Sequence, residues 1–214
     1  MRILVVAAHL DDEILGVGGA LLKHKSQGDE TFVCIATRGY PPEWSEGQIK
    51  KELAEAKRVD EILGISKRFY CDFPVVKLNT LPHGEFNRKI SEIVNLIQPD
   101  IIYTHFENDI NKDHGVVFNG VMVAARPIDK RIKLFCFETM SSTEWNYKSF
   151  IPNMYVNIEN QIDKKVEAFL QYRSEVKSYP HPRSPEGIRI WAQKRGSEVC
   201  WRYAEAFMMI RSFW

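Results

Sequence analysis

Neither sign of charge dominates this sequence: 29 Lys and Arg stand against 28 Asp and Glu over 214 residues, a formal net charge of +1. That balance leaves no global field to hold nucleic acid or an anionic membrane surface. Cysteine is scarce as well. Cys34, Cys71, Cys136 and Cys200 form no CxxC pair and lack the density of a secreted disulfide scaffold, so reduced, mostly buried thiols are expected. No apolar run approaches the roughly 18 uninterrupted residues of a membrane span. The N-terminal run over 3–8 stops at His9 and continues into Asp11-Asp12-Glu13 instead of a cleavage site, which reads as a buried strand and not as a signal peptide. A dinucleotide fingerprint is missing too, because Gly16, Gly18 and Gly19 fall inside the first helical stretch and do not precede it. What is present is the composition of a folded globular chain, 44% hydrophobic and 27% charged, expected to form a single domain over 1–214 in the cytoplasm.

Strand and helix signals alternate. The apolar run 3–8 suits a strand buried on both faces, the acidic residues at 11–13 open a helix ending near Gly28, and 31–37 is the next strand. After a Pro- and Gly-containing loop over 40–47, a helix over 48–63 stops at Gly64, and 69–72 reads as a short strand. Phe86, Ile90, Ile93, Val94 and Ile97 recur with helical period, and Pro99 separates them from a strand over 101–105. A helix over 114–125 and strands over 132–139 and 155–158 follow, then helical patterns over 161–176 and 196–211 with Pro180, Pro182 and Pro185 between them. Ser184 is a candidate N-cap in that connector. The expected fold is α/β, a doubly wound, mostly parallel Rossmann-like sheet with a helical C-terminal extension.

Ligands of such sheets bind beyond the C-terminal ends of the strands. Two polar clusters fall there: His9 to Glu13 after the first strand, and Glu107 to His114 after the strand over 101–105. His9, Asp12 and His114 can converge on one ion. Two imidazoles and one carboxylate with a position left for water is the donor set of a catalytic zinc site, not a closed structural one. Asp11 is then free to take a proton from metal-bound water. Against this, an Asp-Asp-Glu run at a helix start also serves as a cap and dipole complement, and a lone His114 as a surface residue. The conjunction of two such clusters favours a metal site.

Ala8-His9-Leu10-Asp11-Asp12-Glu13 closely resembles the AHPDDE signature of the PIG-L/LmbE-like zinc-dependent N-deacetylases, and Asp113-His114-Gly115-Val116-Val117 resembles their downstream motif. The resemblance extends through Leu63-Gly64, Phe137-Glu138 and Tyr203 to Phe207. It implies that His9, Asp12 and His114 hold Zn2+, with iron or cobalt as alternatives for the same donors, and that Asp11 is the general base. The implied reaction removes an acetyl group from an N-acetylated amino sugar, releasing acetate and a free amine. The family includes oligomers; the state of this chain, a homo-oligomer included, stays open.

Two positions depart from the family pattern. Leu10 replaces the signature proline, at a residue that shapes the turn without touching the metal. Many members carry a histidine three residues before the last metal ligand, where this chain has Asn111; its amide can donate to an oxyanion but cannot deliver a proton. Either Asp11 serves as both base and acid, or His105 moves in. Arg38, His105 and Asp109 are the expected substrate contacts, although Arg38 could equally be a solvated loop residue and Asp109 could hold a loop instead. Asp113 could orient a metal ligand. The segment Tyr179 to Ser184 reads as a substrate-facing loop or as a helix connector. Trp44, Trp145 and Trp191 could stack on a sugar, with Trp191 assigned to the core. Other readings are a metal-dependent amidase on a different amide, such as a thiol conjugate, or a non-catalytic sugar- or nucleotide-binding module on the same fold.

Overall fold

In a computed structural model, which describes residues 1–128 and 130–214, the alternation resolves into one seven-stranded sheet. The first half contains β1 (Arg2–Ala7), α1 (Asp12–Ser26), β2 (Glu30–Arg38), α2 (Glu46–Leu63), β3 (Lys67–Pro74) and α3 (His83–Ile97). It is followed by β4 (Ile101–His105), α4 (Lys112–Ala124), β5 (Lys133–Phe137), β6 (Met154–Asn157), α5 (Ile162–Phe169), α6 (Pro185–Ser197) and β7 (Ala204–Arg211). The sheet order is β3-β2-β1-β4-β5-β7-β6. β1 to β5 are parallel, while β7 runs antiparallel to both β5 and β6.

Alternate residues of the central strands feed two cores. Ile3, Val5 and Ala7 pack with α1, α2, α5 and α6, while Leu4, Val6 and Ala8 face α3 and α4. Both faces are therefore dry, and β1 reads as continuous apolar sequence because every residue after Arg2 is buried. The helix stops follow local chemistry. Ser45 and Gln48 form a reciprocal capping box at the start of α2, and Gly64 closes that helix at φ 70°, a conformation only glycine adopts without strain. Gly16 of α1 lies directly over the Phe137 ring, so its missing side chain lets the helix sit close against β5.

The C-terminal extension differs from expectation in where its helices end and in its last strand. The segment 204–211 forms a strand, not the tail of a helix. Tertiary pairing overrides the helix-compatible composition here, since β7 fills the gap between β5 and β6 and buries Ala204 to Phe207 without a break. The helix of the region is α6 instead, capped by Ser184 Oγ, which accepts from Gly187 N (2.9 Å). α5 ends at Phe169, earlier than the apolar pattern suggests, because the chain turns there and sends Tyr172 inward to donate to Glu13 (2.7 Å). No helix among the described residues is long and apolar enough to cross a membrane.

Candidate functional site

β1 lies between β2 and β4, with successive strands wound outward on either side, so the carboxyl ends of β1 and β4 flank the point where strand order reverses. Thr37 ties down the end of β1, donating from both N (3.0 Å) and Oγ1 (2.8 Å) to the Ala8 carbonyl. The chain then turns through His9 and Leu10 into α1. β4 leads through a short loop into α4, whose N-cap is Asn111 and whose first turn carries Asp113 and His114.

These turns bring His9, Asp12 and His114 together as expected. His9 Nδ1 is 3.2 Å from Asp12 Oδ2 and 3.3 Å from His114 Nε2, which is itself 3.5 Å from the same Asp12 oxygen. Carboxylates hold the far nitrogens of both imidazoles. Asp113 Oδ2 is 3.2 Å from His9 Nε2, and Asp109 Oδ2 makes a bent 3.2 Å contact with His114 Nδ1. Asp113 also accepts from Val76 N and Leu78 N, and Asp109 from Asn111 N, Ser142 Oγ and Thr143 Oγ1. Each ring can therefore place its proton outward and leave a lone pair facing Asp12.

Electrostatics at this point call for a cation. Burial opposes protonation of His9, but Asp12 and Asp113 outweigh it and push its pKa up to about 10. Asp12 is held well below the usual carboxylate range by His114, His105 and His9 although burial works the other way. One Asp12 oxygen, Oδ1, is buried with no partner. Tetrahedral ligands about 2.0 to 2.1 Å from a divalent metal lie about 3.3 Å apart, and the three observed separations bracket that value. Donor chemistry and spacing both fit a metal.

Asp11 sits on the other side of the turn, at φ 91°, a backbone region that costs an L-residue on the order of 1–3 kcal/mol. Two contacts over-determine it. Its N–H donates to Glu13 Oε2 (3.1 Å), and its carboxylate accepts from Arg183 Nη1 (2.8 Å). Glu13 is in turn fixed by Arg68 Nη2 (2.9 Å) and the Tyr172 hydroxyl. Burial raises the Asp11 pKa well above normal, with Arg183 opposing and Asp12 reinforcing. His9, Asp11, Arg38, Trp44, Asn111 and Arg183 line one cavity of about 300 Å³, at the small end of ligand sites.

Two expected substrate contacts are not brought to the cavity. His105 is fully buried behind the site, stacked on His114 at 3.8 Å between ring centroids, and lines no part of the cavity. Its Nε2 accepts from Ala8 N (2.9 Å), so that nitrogen carries a lone pair, and burial beside His114 pushes the pKa down to about 4. It cannot move in as a proton donor. Asp109 is committed to Ser142, Thr143 and His114 and does not line the cavity, which fits the loop-holding role. Asn111 lines the cavity, but its side-chain oxygen accepts from Asp113 N (3.0 Å), leaving only the amide N–H groups for a ligand. Arg38 does reach the cavity, half exposed and weakly paired with Asp72 (3.4 Å). Sequence reasoning missed the grip of Arg183 on Asp11; its only signal was the proline-rich segment around it. Trp145 is exposed, and Trp191 is half-buried against the core.

A family model described as PIG-L, GlcNAc-PI de-N-acetylase, matches residues 4–125, more than half of the chain. The chain belongs to the PIG-L family. It is 26% identical over 181 residues to an Escherichia coli (strain K12) protein described as an uncharacterized deacetylase, YaiS, covering 80% of this chain and 90% of that one. It is also 26% identical over 190 residues to 4-oxalmesaconate hydratase of Pseudomonas putida KT2440, covering 77% of this chain and 70% of the hydratase. The fold matches that of N,N'-diacetylchitobiose deacetylase from Pyrococcus horikoshii with a TM-score of 0.80 at 18% identity, over 98% of this chain and 83% of the other. The proteins this chain is similar to are thus named as deacetylases and as a hydratase.

Proposed function

We propose that this protein is a metal-dependent N-deacetylase that releases acetate from an N-acetylated amino sugar. The observation that carries this reading is the convergence of His9 Nδ1, Asp12 Oδ2 and His114 Nε2 beside the cavity that Asp11 lines. Zinc suits two imidazoles and one carboxylate, and iron or cobalt would accept the same donors. Bound there, the metal would act as a Lewis acid toward the acetamide carbonyl and lower the pKa of water.

The remaining steps belong to the chain. Asp11, raised in pKa by burial, would accept a proton from the attacking water and return it to the departing amine. Arg183 holds that carboxylate in place. The free amide N–H groups of Asn111 can donate to a developing oxyanion, and with His105 locked away Asp11 alone carries both proton transfers. Substrate preference follows from charge. Arg183 is paired with Asp11 and Glu175, and Arg38 with Asp72, while Glu52, Glu175 and Trp44 complete the wall. Such a lining offers hydroxyl acceptors and a ring face, which suits a neutral sugar.

Hydration of an unsaturated carboxylate is the second reading, favoured by the Pseudomonas putida relative. The tight pairing of Arg183 with Asp11 and Glu175 weighs against an anionic substrate, while the exposed, weakly paired Arg38 does not. The test is elemental analysis of tag-free protein beside His9→Ala and His114→Ala, followed by acetate release from N-acetylated sugars. Near-stoichiometric metal lost in both variants, with acetate formed only by the parent, supports the proposal. Parent protein that neither holds nor takes up zinc, iron or cobalt overturns it. Metal without acetate release, but with water added to unsaturated carboxylates, moves the assignment to hydration.

A further inference from the structure

Away from the metal-ligand cluster, β2 and β3 place two thiols in contact. Cys34 Sγ and Cys71 Sγ lie 3.6 Å apart, with Cys34 fully buried and Cys71 half-buried. The β2–β3 register explains the encounter. Ile35 pairs with Tyr70, but Thr37 pairs with Phe73, so β3 carries one extra residue over this stretch, and Cys71 sits in the resulting bulge beside Asp72 at φ 58°. Both cysteines belong to the α3–α4 core, as do the neighbouring Phe32, Phe69 and Phe73. Cys136 and Cys200, on β5 and after α6, lie on other elements.

We propose that Cys34 and Cys71 are a modification site, a thiol pair that a hydroperoxide converts reversibly to a disulfide between β2 and β3. The two partners are unequal in the way such chemistry requires. The two thiols share a hydrogen bond in which either sulfur can donate; that bond together with burial raises the pKa of Cys34, and it lowers that of Cys71, with Lys89 adding to the effect. A partly buried sulfur of lowered pKa beside a fully buried partner is the arrangement of an attacking and a resolving cysteine. The Cys71 thiolate attacks the peroxide oxygen, breaking the O–O bond to give a sulfenic acid and an alcohol, or water from hydrogen peroxide. Cys34 sulfur then displaces the sulfenic hydroxyl, which leaves as water with the Cys34 proton. Two thiols and one hydroperoxide thus yield one disulfide, one alcohol and one water. The sulfurs must approach by about 1.6 Å from their 3.6 Å separation to reach the roughly 2.0 Å bond.

The experiment uses the full chain carrying Cys200→Ser, which removes the exposed thiol. Treated with hydrogen peroxide under native conditions, it is expected to lose about 2 Da by intact mass, the two hydrogens of a disulfide. Peptide mapping should link the Cys34 and Cys71 peptides, and dithiothreitol should reverse the link. In a further Cys34→Ser variant, dimedone should trap a sulfenic acid on Cys71. Uptake of oxygen at Cys71 without a cross-link, a cross-link through Cys136, or both thiols remaining open to maleimide after peroxide each overturns the proposal. The Cys200→Ser protein alone decides the matter if the double variant misfolds.

Discussion

Asp11 and Asp12 are adjacent in sequence and chemically opposite. Asp12 faces three imidazoles and stays ionised well below the usual range, while Asp11 faces a single arginine and is raised by burial. Environment, not residue type, separates the proposed metal ligand from the proposed proton carrier. Asp11→Asn is therefore expected to retain metal by elemental analysis while acetate release falls about 10²- to 10⁴-fold, the usual worth of a positioned acid–base group. Arg183 acts through Asp11. Arg183→Ala should also keep the metal and cost about 10- to 100-fold in turnover, as loss of an orienting partner does, with Arg183→Lys intermediate because one donor replaces a fork. Unchanged turnover in Arg183→Ala would remove the clamp from the mechanism. Glu13, a plain helix-start acid by sequence, is committed to Arg68, Tyr172 and the Asp11 backbone.

The elements around the site are joined by buried charge as well as by apolar packing. Lys165 of α5 donates to Glu205 of β7 (2.7 Å) and to the Leu15 carbonyl of α1 (2.8 Å), while Glu205 accepts from Gly19 N and Ala20 N of α1 (2.7 Å each). This knot fastens the C-terminal extension to the helix that starts at Asp12. Lys165→Ala would leave Glu205 buried without its cation, and urea unfolding should show a loss of about 3–5 kcal/mol. A loss below 1 kcal/mol would mean that the helix N–H groups alone satisfy the carboxylate. The knot also explains why β7 is hard to read: Ala204, Glu205 and Ala206 are ordinary helix residues, and only the opening between β5 and β6 makes them a strand.

For the whole molecule, the candidate metal site joins the end of β1, the start of α1 and the start of α4 across the point where strand order reverses. A ligand bound only by the folded state adds about 2.7 kcal/mol at a hundredfold excess over its Kd. In a chain of this size that corresponds to roughly 5–10 °C in Tm. Chelation should lower the melting temperature by that amount, zinc should restore it, and His114→Ala should show neither change. The sequence by itself determined the strand–helix alternation through β5, the Gly64 stop of α2 and the candidate grouping of His9, Asp12 and His114, because each depends on short-range periodicity or on a local motif. Only the tertiary structure decided that β7 is a strand, that His105 and Asp109 stand behind the site, and that Arg183 grips Asp11 across 172 residues. Those outcomes depend on which surfaces meet, and burial by distant segments leaves no local pattern in the chain.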